Sequence, residues 1–208
     1  MSRYCNCGSR IRHTRYNEET DDKKIGKKLS TDVIIDKICK YISKRRLCEH
    51  IYISVIDRAG QPMTKRIMKA LASKTNLGRN WNDNIHYESF CCCYLEQSEP
   101  LIGTKYTITD SYEIYKKHIR GNHIIIHDSM RTPRYTMMEL EPVFSNDKWK
   151  NLMIIAVFTK SRCPQRLNAD IKKEVTDIAK NKGWLYSIKN EKRYRSAMYY
   201  IDIKLTRI

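Results

Sequence analysis

Three groups of side chains could do chemistry in this chain. The first is His123, His127 and Asp128. On a strand the two histidines would share a face, and a neighbouring carboxylate would add an oxygen ligand. Metal-dependent hydrolysis of a phosphodiester needs such ligands to converge on a divalent ion. His86 and Glu88 form a similar pair, and Asp202-Ile203-Lys204 is an acidic-x-Lys triplet of the kind some nuclease folds use. Three residues recur constantly by chance, and the outward polar face of a half-buried strand explains the triplet better.

The second group is sulfur and imidazole. Cys5, Cys7 and His13 lie close together, and Cys39, Cys48 and His50 form another cluster. Thiolate and imidazole suit zinc, and four such ligands would close a structural site. The spacing is poor, because no Cys-x-x-Cys occurs. Cys39 also falls in a helical pattern, where a small buried hydrophobe is ordinary. Cys91, Cys92 and Cys93 are consecutive, so on a strand they point to alternate faces and cannot share one metal. Cys163 stands alone before Pro164. The expectation is no cofactor, with Cys5, Cys7, His13, Cys48 and His50 as the zinc candidates. Neither GxxxxGK[ST] nor GxGxxG is present, so a glycine-rich phosphate loop is not expected.

The third group is basic. Lys189, Lys192, Arg193 and Arg195 surround one Glu191, with Tyr194 between the arginines. Cations can contact phosphates and a tyrosine can stack on an unpaired base; a solvated hairpin end is the bland alternative. Lys65, Arg66 and Lys69 make a second patch. The whole chain has 40 Lys+Arg against 23 Asp+Glu, a formal +17 over 208 residues. A surplus this large favours a polyanionic partner. The expected function is therefore nucleic-acid binding, RNA before DNA, by a regulatory or accessory protein, viral or from a mobile element; the composition, rich in Ile, Lys, Tyr and Asn and poor in Gly, Pro and Ala, suits an A+T-rich coding genome such as those of many viruses, parasites and mobile elements. The alternatives are docking of an acidic protein and metal-dependent nuclease action. With no apolar leader and no long apolar run, an intracellular location, cytosolic or nuclear, without a membrane span is expected.

These groups must be positioned by regular elements. Ser30 or Thr31 can cap a helix carrying Ile34, Ile38, Tyr41 and Ile42 on one face. Residues 1–29 then form a charged arm and 30–208 one domain. Residues 51–56 alternate as a strand, Gly60 marks a turn, and Pro62 opens a helix. Residues 77–84 form a loop, while 85–95 and 101–109 are strands. Asp110 and Glu113 resemble a capping box. Residues 123–127 are a buried strand, and 136–144 alternate moderately. The last third runs strand, helix, strand, strand, with Ile171, Val175, Ile178 and Ala179 facing a core and a closing antiparallel pair. The expected class is α+β: a mixed or antiparallel sheet, three to four helices, and a C-terminal β-α-β-β unit.

Overall fold

The computed structural model describes residues 21–46, 48–57, 60–73, 84–91, 99–109, 111–128, 131–160, 169–195 and 198–208. In chain order the elements are α1 (Asp21–Ile42), β1 (Ile51–Ile56), α2 (Pro62–Ser73), β2 (Ile85–Cys91), β3 (Thr104–Ile108), α3 (Ser111–His118) and β4 (Gly121–Asp128). They continue with α4 (Pro133–Ser145), β5 (Trp149–Thr159), α5 (Ile171–Asn181), β6 (Leu185–Ile188), β7 (Lys192–Arg195) and β8 (Met198–Thr206). The strands form one eight-stranded sheet of order β3-β2-β1-β4-β5-β8-β6, with β7 pairing β8. The first five strands pair in parallel, and β8 enters antiparallel between β5 and β6.

This corrects the expected α+β class with its mixed or antiparallel sheet. The sheet is mostly parallel and is covered by helices on both faces. On one face Ile34, Ile38 and Ile42 of α1 and Ile67 and Leu71 of α2 pack on Ile53, Val55, Ile126 and Ile155. On the other, Tyr115 of α3, Leu140 and Val143 of α4 and Val175 and Ala179 of α5 pack on Phe90, Ile125, Ile154 and Ile203. Strands buried on both sides read as continuous apolar runs, and β4 and β5 do so.

Two local expectations also change. Residues 136–144 lie in helix α4, whose buried positions Pro133, Thr136, Met137, Leu140, Val143 and Phe144 follow a helical spacing. Pro133 sits in its first turn, where its missing N–H costs nothing. The helix expected from Ser30 starts upstream, at Asp21. The closing antiparallel pair is present as β6 and β8, but β8 separates β6 from β5. Among the described residues no helix is long and apolar enough to cross a membrane.

The helix α1 is tied to β8 by an ion pair. Lys37 Nζ lies 2.7 Å from Asp202 Oδ2, and Asp202 is 2% exposed. The acidic-x-Lys triplet is therefore structural: its carboxylate is buried against a helix and its Lys204 lies over the Tyr41 ring. Lys37→Met should cost about 3 kcal/mol in urea unfolding by stranding that carboxylate, and adding Asp202→Leu should recover most of the loss.

Candidate active site at the carboxyl ends of the parallel strands

The order of strands around β1 creates a topological switch. From β1 the chain passes through α2 to β2 on one side; through α3 it later returns to β4 on the other. In open parallel sheets ligands bind in the crevice this leaves beyond the carboxyl ends of the strands. Here the crevice lies between the β1–α2 and β4–α4 turns.

The β1–α2 turn is held by a buried polar network. Asp57 Oδ2 accepts from the Thr64 backbone N–H at 2.9 Å and from the Thr64 hydroxyl at 3.0 Å. The carboxylate thus caps the first turn of α2 from outside the helix. Thr64 Oγ1 lies 2.8 Å from Ser89 Oγ on β2, and Ser89 donates to Gln61 Oε1 at 3.1 Å. Gln61 Nε2 in turn donates to the Glu99 carbonyl at 2.9 Å. Gln61 is wholly buried and has φ 50°, directly after Gly60 at φ 77°. Two successive residues of positive φ turn the backbone sharply into α2. A Cβ at Gly60 would meet nothing within 4 Å. The glycine therefore leaves the turn open to a ligand at a helix N-terminus.

Across the crevice, β4 ends in His127 and Asp128. Tyr115 Oη lies 2.9 Å from His127 Nδ1, His127 Nε2 lies 3.0 Å from Glu139 Oε2, and Arg131 Nε lies 3.1 Å from Glu139 Oε1. The contacts to Glu139 are close but not well aligned as hydrogen bonds. Burial, aided by the charge of Glu139, pushes the Tyr115 phenol well above its ordinary range and keeps it a donor. The chain of contacts runs from the core to Arg131, whose carbonyl also accepts from the Thr159 N–H. It ties Arg131, just before α4, to β4 and β5.

The other histidine of β4 lies elsewhere. His123 accepts the Arg120 N–H at Nδ1 (3.3 Å) and donates from Nε2 to Ser54 Oγ (2.9 Å). Four residues of strand separate it from His127 by ~13 Å, so the pair cannot share a metal. Glu88 pairs with Lys105 and His118, not with a metal set. Cys39 is buried in the core, and Cys5, Cys7 and His13 lie outside the described residues. Among the described residues no group of three His, Cys, Asp or Glu could hold a metal ion.

The basic candidates are dispersed. Lys189, Lys192, Arg193, Tyr194 and Arg195 run from the end of β6 along β7, on the outer side of β8, with Lys189, Lys192 and Arg193 exposed. Lys65 and Lys69 are exposed on α2, while Arg66 is engaged with Asp32 at 2.7 Å. Sequence reasoning passed over the site residues Asp57, Gln61, Thr64, Ser89, Glu139 and Arg131. The only signals for them were the Asp-x-x-Gly-x-Pro order of residues 57–62 and Pro133 five residues after Asp128.

No protein-family model and no curated protein sequence matches the chain. Solved structures do match in fold. The plantazolicin methyltransferase BpumL, in complex with a triazolic desmethylPZN analog and SAH, superposes with TM-score 0.51 at 11% identity. The match covers 88% of this chain and 85% of that one. BamL, a plantazolicin methyltransferase in the same kind of complex, gives 0.50 at 9% identity over 88% and 87%. TYW2 of M. jannaschii, in complex with AdoMet, gives 0.46 at 11% over 94% and 80%.

The chain thus shares with these structures a Rossmann-like fold, a mostly parallel sheet covered by helices. That finding displaces the expectation of a viral regulatory or accessory nucleic-acid-binding protein, and the nuclease alternative with it. Nothing in the fold supports the acidic-protein alternative. The expectation of no cofactor also meets neighbours solved with AdoMet or SAH.

Burial and the charges of Arg120 and His118 hold His123 below its ordinary value, at about 3, although its bond to the Arg120 backbone opposes them. Its folded value is below its unfolded one, so only the unfolded chain takes the proton between those values. Its contribution is present above about pH 6.5 and is lost as the pH falls towards 3. The stability difference between wild type and His123→Gln should shrink by up to ~1.4 kcal/mol per pH unit in that window, as urea midpoints would show. A pH-independent difference would refute the assignment. Thr64→Val should cost ~1–3 kcal/mol by stranding part of the Asp57 carboxylate and Ser89.

Proposed function

We propose that this chain is an AdoMet-dependent methyltransferase. The observation that carries the reading is the β1–α2 turn: an open Gly60 at φ 77° and a helix N-terminus at the switch point. The fold likeness to methyltransferases solved with SAH supports it. The turn fits the group, because a ligand can approach the backbone closely at Gly60. One glycine stands here where dinucleotide-binding turns use three, so contact rests on a single open residue. Asp57 is already engaged by Thr64 and serves to hold the turn. The residues after Cys91, at the next strand end, lie outside the described set.

Bound at this turn, AdoMet would supply a methyl group on a sulfonium, with the thioether as the leaving group. The protein's part is positioning. The Asp57–Thr64–Ser89–Gln61 network makes the cofactor side of the crevice rigid before any ligand arrives, which lowers the cost of binding. On the acceptor side, Tyr115, His127 and Glu139 hold Arg131. We assign the acceptor to nucleic acid, on the formal charge of +17. Lys189, Lys192, Arg193, Tyr194 and Arg195, with Lys65, Arg66 and Lys69, are the surfaces proposed to meet its backbone.

Calorimetry with AdoMet and S-adenosylhomocysteine tests the cofactor. Wild type should bind both, and Gly60→Val should weaken binding about tenfold or more, beyond the drop in urea midpoint that a Cβ at its positive φ brings by itself. Absence of binding at millimolar ligand would overturn the reading. Transfer of labelled methyl groups from AdoMet to total RNA, DNA or protein tests the acceptor class. Label in protein alone would refute the nucleic-acid assignment and leave the methyltransferase reading standing.

A further inference from the structure

We propose that His50 and His86 form a bidentate site for a divalent transition cation of the zinc, nickel or copper class. The pair lies at the amino-terminal edge of the sheet, opposite the crevice, and the inference is independent of the proposed function. His50 immediately precedes β1, and His86 is the second residue of β2, in register with Tyr52. His50 Nδ1 lies 3.0 Å from His86 Nε2. The ring centroids are 5.2 Å apart with planes 21° from parallel. Nitrogens that close with centroids that far apart mean the rings meet edge to edge, nitrogen facing nitrogen.

That arrangement is near a chelating one. Two imidazoles on tetrahedral zinc, each at about 2.0–2.1 Å, hold their nitrogens ~3.3 Å apart. Both side chains are exposed; a metal would displace the hydrogen the two nitrogens share, the donor ring carrying its proton on its other nitrogen, as each ring swings its lone pair to a common point. The rest of the site is ordered. The Tyr52 ring lies against His86 at 4.9 Å, and the Arg120 guanidinium covers Tyr52 at 4.4 Å. The Arg120 cation opposes a metal ion, which keeps the expected affinity modest.

Two imidazoles and no clustered carboxylates select a borderline transition ion over magnesium or calcium. A bidentate site leaves positions for water, so binding is weaker than in a closed zinc site. An ion there would tether the entry of β1 to the start of β2. The exposed Cys48 lies two residues before His50, and the variants below separate its thiol from the imidazoles.

The test is calorimetric titration of the full chain with zinc chloride, for wild type, His50→Gln, His86→Gln and Cys48→Ser. Wild type should take up zinc in the micromolar range, and each histidine variant should lose about tenfold or more in affinity, with Cys48→Ser unchanged. Zinc uptake retained in full by both histidine variants overturns the proposal, as does no uptake by wild type. If a variant fails to fold, Cu²⁺ added to wild type decides. It should selectively broaden the ring proton signals of two of the six histidines; broadening of all or none overturns the assignment.

Discussion

The parallel pairing of β1 on both its edges is the constraint on which the rest of the molecule depends. Both β2 and β4 run parallel to β1, and a parallel connection needs a crossover. One crossover, α2, covers one face, and α3, arriving from the far edge at β3, covers the other. The central strands are therefore buried on both sides, and the strand order reverses at β1. The candidate site is that switch point. It follows from strand order, and its side chains only refine it.

Polar groups near the switch point are spent on rigidity. Asp57, Thr64, Ser89 and Gln61 join β1, α2 and β2 through buried hydrogen bonds, each costly to leave unmade. Tyr115, His127, Glu139 and Arg131 do the same for β4, α3 and α4. Neither set resembles an acid–base pair poised on a reacting atom. That suits a reaction whose electrophile arrives already activated and which needs chiefly alignment of donor and acceptor.

The opposite edge of the sheet has another character. There His123, Tyr52 and His86 lie side by side on β4, β1 and β2, with successive ring centroids 6.0 and 4.9 Å apart. The parallel register places them in one row. Ser54 satisfies the buried member and Arg120 covers the central ring. The exposed end of the row is the histidine pair, whose ligating atoms lie outside the core and outside the crevice.

The sequence by itself determined most of the elements. The strands at 51–56, 123–127 and 152–159, the helix opening at Pro62 and the apolar face of Ile171, Val175 and Ala179 were all legible, because periodicity records which side of an element is buried. The Pro133 helix was missed because its face mixes Thr136 and Met137 with charged neighbours and mimics alternation. Tertiary structure alone decided which strands are neighbours. Periodicity is blind to pairing, so nothing local shows that β8 inserts antiparallel between β5 and β6, or that β1 lies between β2 and β4. The same reason hid the site. Asp57 and Ser89 are 32 positions apart and meet through Thr64, and Tyr115 meets His127 and Glu139 only after two crossovers. His50 and His86, each unremarkable in its own segment, face one another because β1 and β2 pair in parallel register.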